Sequence, residues 1–260
     1  MPSALSAFLA RNSVATVESL PLVHSTRSYN FRAILAGSSL SPQPCDVFKG
    51  EDINYFFVGR PAYKHRSDNS TAEPWELPCC FIFEADAVSP AKRVFPFDSG
   101  AFVSQRYPSY IGTMPLKEFE SSGNEAIGKI IGSFFGSSDR YFNLSPRPRE
   151  EFELEFSLTP FDAELSAAMR LAGEGTPTSF DDRRFTIEVQ TDTALDLGEI
   201  NPIAVIIPEV YLDIDGVLDK IENEWKAEPI GYPIYPLNLA AYYAVIYKEV
   251  HDFYKREHYL

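Results

Sequence analysis

The sequence predicts an α+β fold, one domain over residues 1–260, and three observations carry that expectation. Short runs rich in aromatic and β-branched residues, at 55–58, 80–84 and 203–208, are bounded by Pro, Gly, Ser and Asn clusters, as strands are. Stretches with helical apolar spacing, at 125–135, 162–172 and 237–256, fall among them without a regular strand–helix alternation, so a doubly wound parallel sheet is not expected. The 260 residues are 45% hydrophobic and 23% charged, an ordinary globular composition. A chain of this length buries about 70–75% of its unfolded surface, enough for a real core.

The elements follow in order. Residues 3–11 and 30–35 read as short helices, the second with Phe31, Ile34 and Leu35 on one face and Gly37 to close it. Residues 55–58, 80–84 and 102–103 read as strands of an irregular sheet, and 64–77 as a polar loop. Helices are expected at 125–135 and 162–172, with 151–156 between them as a strand because Glu alternates strictly with Phe and Leu. Gly128, Gly132 and Gly136 fall four apart, a small-residue face for close packing. After a loop at 173–179, strands are expected at 184–190 and 203–208 and helices at 216–225 and 237–256. The last helix gathers Leu239, Tyr242, Tyr243, Ile246 and Tyr247 on one side.

The net charge of -14 argues against a protein that coats nucleic acid by neutralising phosphates. The excess acid is unevenly placed. Residues 1–110 hold ten Lys/Arg and ten Asp/Glu; residues 111–260 hold thirteen against twenty-seven. Cys45, Cys79 and Cys80 make an odd count with no CxxC spacing, which favours neither a disulfide framework nor a zinc cluster. No apolar run approaches a membrane span and the N-terminus lacks a basic leader, so a chain of the reducing cytoplasm is expected, without metal or membrane.

One chemical motif is a decoy, and the phosphate-binding fingerprints are absent. There is no GxGxxG and no GxxxxGK[ST]. Residues 210–219 (VYLDIDGVLD) resemble the opening motif of haloacid-dehalogenase-type phosphatases, with Asp213 as nucleophile and Asp215 as acid/base. Only forty-one residues follow Asp219, too few for the downstream lysine and metal ligands of that fold, and a turn leading into a helix accounts for the same residues.

Three further segments agree with one another. His24-Ser25-Thr26 precedes Asn30-Phe31-Arg32-Ala33-Ile34-Leu35-Ala36-Gly37; Tyr55-Phe56-Phe57-Val58-Gly59-Arg60 is an aromatic run that delivers an arginine; and Glu188 lies in a β-like run that precedes the apolar residues 203–208. In this order they resemble the ADP-ribosyltransferase superfamily, and within it the DarT-type toxins that modify DNA bases. The resemblance covers about a quarter of the chain and leaves residues 100–180 unmatched. It implies split antiparallel or mixed sheets with flanking helices and a cleft for NAD+ as substrate. It implies a mono-ADP-ribosyltransferase, a bacterial toxin or phage-defence effector, whose acceptor is a single-stranded DNA base and which a neutralising antitoxin or sensor partner controls.

The residue types suit that chemistry. Breaking the nicotinamide–ribose bond passes through an oxocarbenium-like transition state, which a carboxylate stabilises. The resemblance makes Glu188 that carboxylate and Arg60 the second catalytic group, a planar cation for pyrophosphate or acceptor. It makes His24 and Thr26 cofactor ligands, Asn30 a cofactor ligand or a stabiliser of the same loop, and Tyr55 or a neighbouring aromatic a stacking partner for nicotinamide. Thr186 stands where many superfamily members carry Glu or Gln, which leaves the acceptor open: the same fold also modifies proteins or hydrolyses NAD+. The residues also admit plainer readings. His24 serves as a helix cap or core group, Arg60 as an ion pair, and Glu188 as part of a solvated polar strand face or, in a binding or sensor module without catalysis, as the partner of a basic residue. Asp98 reads as a turn aspartate or as a residue that reaches the site, and Lys64, His65 and Arg66 as a phosphate-contacting loop or a solvated cluster.

Overall fold

The computed structural model describes residues 2–12, 16–62, 69–174 and 185–260. The chain is mixed α and β, and its contacts gather it into two compact units, each assembled from separated segments. The first comprises Met1–Leu20, Pro44–Val58 and Val88–Asp192; the second comprises Pro21–Gln43, Gly59–Ala87 and Thr193–Leu260. The basic run Lys64-His65-Arg66 lies outside the described residues, as does most of the loop expected at 173–179.

In the first unit the strand Glu188–Thr191 lies between Asp52–Val58 and Arg93–Phe95, antiparallel to both. The pairing sets Phe57 and Phe95 opposite Glu188, and Tyr55 and Arg93 opposite Gln190. Residues directly opposite share a face, so these six side chains stand on one side of the sheet. Helices Ala4–Arg11, Glu125–Phe134, Arg149–Glu155 and Ala163–Gly173 supply an aromatic core in which Phe134 meets Phe152 at 4.9 Å and Phe185 at 5.0 Å between ring centroids. The small-residue reading holds at Gly128, where an added Cβ would stand 2.4 Å from the Val17 carbonyl oxygen. Gly136 has a different role: it lies beyond its helix at φ +85°, a conformation that glycine adopts at little cost.

Two expected strands of this unit are helices. Residues 151–156 fall mainly in the helix Arg149–Glu155, which Pro148 opens, with Glu150 and Glu151 in its first turn. The alternation misled because Glu and Leu favour helix, and because the Phe152 and Phe156 rings, one turn apart, meet at 5.1 Å. Residues 102–103 belong to the helix Ser99–Val103, started by the Asp98 side chain accepting from the Ala101 N–H at 2.7 Å. Phe97 and Phe102 stack at 5.2 Å, so the aromatic residues that suggested a strand here are ring contacts across a helix start.

The second unit orders its strands Glu228–Tyr232, Ala204–Pro208, Pro78–Phe83 and Leu22–Arg27. The first pair is parallel and the other two are antiparallel, so the sheet is mixed. The helix Ser28–Gly37 seats Phe31 against Phe81 and Trp225, at 6.2 Å and 6.3 Å. Ser38, not Gly37, takes the left-handed position that ends it. The helix expected at 216–225 is broken: Val217–Asp219 makes a short α-turn and Lys220–Glu224 winds more widely as π-helix. The helix Leu239–Arg256 is capped by Asn238 and buries Leu239, Tyr242, Ile246, Val250, Phe253 and Tyr254. Among the described residues no helix is long and apolar enough to cross a membrane.

Candidate active site

Glu188 opens the central strand of the first unit and is 1% exposed. Burying a carboxylate is costly unless hydrogen bonds replace its water. Three do. One oxygen accepts from the Ser99 backbone N–H at 2.9 Å; the other accepts from the Ser99 hydroxyl at 2.7 Å and the Gln190 amide at 2.6 Å. The solvated polar face foreseen as an alternative is not present, because Thr186, Glu188 and Gln190 are all buried. Loss of water raises the Glu188 carboxyl most, the charge of Asp98 raises it further, and the three hydrogen bonds oppose both; the balance stands at about 8. Asp98 therefore does more than make a turn: it caps the Ser99 helix and acts electrically on Glu188.

Tyr55 is half-buried on the same face, with its hydroxyl 2.7 Å from Cys45 Sγ. Burial first, then the bond to Cys45 and the nearness of Glu188, raise its phenol well above the usual range. Tyr141 fixes the framework around this site. Its hydroxyl donates to the Val58 carbonyl at 3.0 Å and accepts the Ile187 N–H at 2.9 Å, joining the ends of two strands beside Glu188. Tyr141→Phe strands both buried backbone groups, and urea unfolding should show a loss of about 2 kcal/mol. An unchanged midpoint would mean that the bridge contributes nothing.

The other expected residues belong to the second unit. His24 stands within the strand Leu22–Arg27, its ring 6.4 Å from that of Phe81, so the helix-cap explanation does not hold. Thr26 shares its face, and its hydroxyl accepts the Asn30 amide at 2.8 Å. Asn30 thus ties the first turn of the helix Ser28–Gly37 back to the strand, a loop-ordering role. Arg60 follows Gly59, whose φ of +69° turns the chain at the strand exit, and is fully buried. Asp213 and Asp215 lie exposed in a turn that Gly216 completes at φ +78°, so the turn explanation accounts for them. Among the described residues no group of three or more His, Cys, Asp or Glu is arranged to hold a metal ion.

Sequence reasoning missed Ser99, Arg93 and Tyr141. Asp98-Ser99-Gly100-Ala101 carries a helix-start signature that the flanking aromatic residues masked. Arg93 and Tyr141 carry no local signal, since their importance comes from strand pairing and from a contact across 46 residues. Comparison with known proteins finds no matching family model, no matching curated protein and no matching solved structure.

Proposed function

We propose that the chain is an NAD+-dependent mono-ADP-ribosyltransferase in which Glu188 offsets the positive charge that develops on the ribose. The observation that carries this reading is a buried strand carboxylate held by three neutral donors and raised to about 8, since strongly perturbed carboxyls concentrate at functional sites. Arg60, His24, Thr26, Asn30 and Tyr55 keep the roles that the resemblance to DarT-type toxins gives them, and a single-stranded nucleic-acid base is the acceptor. Metal plays no part in this reading.

A second reading has its own support. Glu188 accepts the N–H of Ser99, the first residue of the helix Ser99–Val103, so it also serves as a structural anchor in a non-catalytic binding module. Against a simple ion-pair role, its hydrogen-bond donors are Ser99 and Gln190, and no salt bridge to it occurs among the described residues. Incubation with labelled NAD+ and single-stranded DNA, RNA or cell protein decides between the two. Transfer, or nicotinamide release, that Glu188→Ala abolishes supports the enzyme; neither event in the parent protein removes it.

A further inference from the structure

We propose that Arg93 is a positioning residue that acts on Glu188 through the Gln190 side chain. The inference rests on the reading of Glu188 given above for its catalytic consequence, but its geometry stands independently.

A glutamine side chain has two unlike ends, a carbonyl that accepts and an NH2 that donates. At Gln190 the guanidinium of Arg93 donates to the carbonyl at 3.2 Å, and the NH2 donates to Glu188 at 2.6 Å. A guanidinium only donates, so Arg93 claims the carbonyl end and leaves the NH2 for Glu188, which gives the amide one orientation. Turning it over would set NH2 against guanidinium and oxygen against oxygen. Strand register enforces the arrangement, since Arg93 and Gln190 are direct cross-strand partners and Phe95 faces Glu188.

Arg93 is itself fixed on several sides. A second guanidinium nitrogen reaches Glu51 at 2.6 Å, the Glu120 carboxylate lies 3.9 Å away, and the ring of Phe48 covers the guanidinium at 4.2 Å. Glu51 is held in turn by Lys92 at 2.9 Å, and Lys92 also binds Asp192 at 2.6 Å. Arg93 and Lys92 together keep the Glu51 carboxyl at about 2. The chain Lys92–Glu51–Arg93–Gln190–Glu188 therefore runs from a half-buried ion pair to a buried carboxyl, each group in contact with the next. A planar fork is needed to bind Glu51 and Gln190 at once, which a lysine ammonium does not reproduce.

The test uses the full chain with Arg93→Met, Arg93→Lys and Gln190→Leu. The first readout is the titration midpoint of the Glu188 side-chain carboxyl, followed by carbon NMR and assigned by its loss in Glu188→Gln. Asp98 and Tyr55 flank Glu188, and Glu51, Glu120, Lys92 and Asp192 surround Arg93; all of these remain in each variant. The midpoint should rise in Arg93→Met and in Gln190→Leu, with Arg93→Lys closer to Arg93→Met than to the parent. The second readout is NAD+ turnover, where kcat should fall about 10–100-fold with KM little changed, as for a misplaced reacting group. An unmoved midpoint in both Arg93→Met and Gln190→Leu overturns the proposal, even if stability has fallen. A parent protein that never turns over NAD+ removes the enzymatic reading alone, because the carboxyl titration still decides whether Arg93 acts on Glu188. Gln190→Leu keeps the test open if Arg93→Met fails to fold.

Discussion

Glu188→Gln is expected to lose NAD+-dependent label transfer by about 10²–10³-fold, the scale on which loss of one preorganised oxyanion-hole donor acts. The amide keeps the shape and loses the charge that an oxocarbenium-like transition state needs. The pH behaviour makes this result specific. The active form is the ionised one, so with a carboxyl at about 8 the parent activity should climb about tenfold per pH unit from 6 and level off above 8. Stability runs the opposite way. The folded value lies above the ordinary 4.5, so the stabilising contribution is complete below pH 4.5 and is lost as pH rises through about 8. Each unit of that shift corresponds to about 1.4 kcal/mol. Glutamine has no such titration, so Glu188→Gln should gain stability relative to the parent as pH moves from 6 to 9. Parallel denaturant curves at the two pH values measure it. A constant difference would show that Glu188 does not carry a raised carboxyl.

The second large effect lies in the core of the first unit. Phe134 is fully buried and its ring meets those of Phe8, Phe152 and Phe185 at 6.4, 4.9 and 5.0 Å. Phe134→Ala should cost about 3–5 kcal/mol, since rigid neighbouring rings fill the vacated volume poorly. Urea unfolding monitored by circular dichroism gives the number. A loss below 1 kcal/mol would mean that the helices close over the gap. The two variants are complementary: Glu188→Gln should remove activity from an intact fold, whereas Phe134→Ala should weaken the fold while the Glu188 hydrogen bonds are retained.

Legibility followed the range of the interactions involved. The helices at Glu125–Phe134 and Leu239–Arg256 were evident because their apolar spacing repeats over several turns, and a periodic signal is local. The strand Asp52–Val58 was evident in its aromatic run, and Glu188 stood out as a charge among β-branched residues. The error at residues 151–156 shows the limit of short patterns: six alternating residues fit two periods until Phe134, distant in sequence, stacks on Phe152. At the site, the shared face of Glu188 and Gln190 followed from strand alternation alone. That this face is dry did not, because burial depends on the helix Ser99–Val103, which pairs Ser99 with Glu188 across 89 residues. Arg93 lay beyond reach for the same reason, since only strand register places it opposite Gln190.

The Tyr141 bridge has a consequence for how the first unit opens. The Ile187 amide gives its hydrogen to a side chain and not to a neighbouring strand, while the same hydroxyl holds the Val58 carbonyl. Solvent deuterium reaches that amide only when the helix Ser138–Phe142, which carries Tyr141, parts from the sheet. One exchange rate, at the residue immediately before Glu188, thus times the loosening of the scaffold that holds the buried carboxyl.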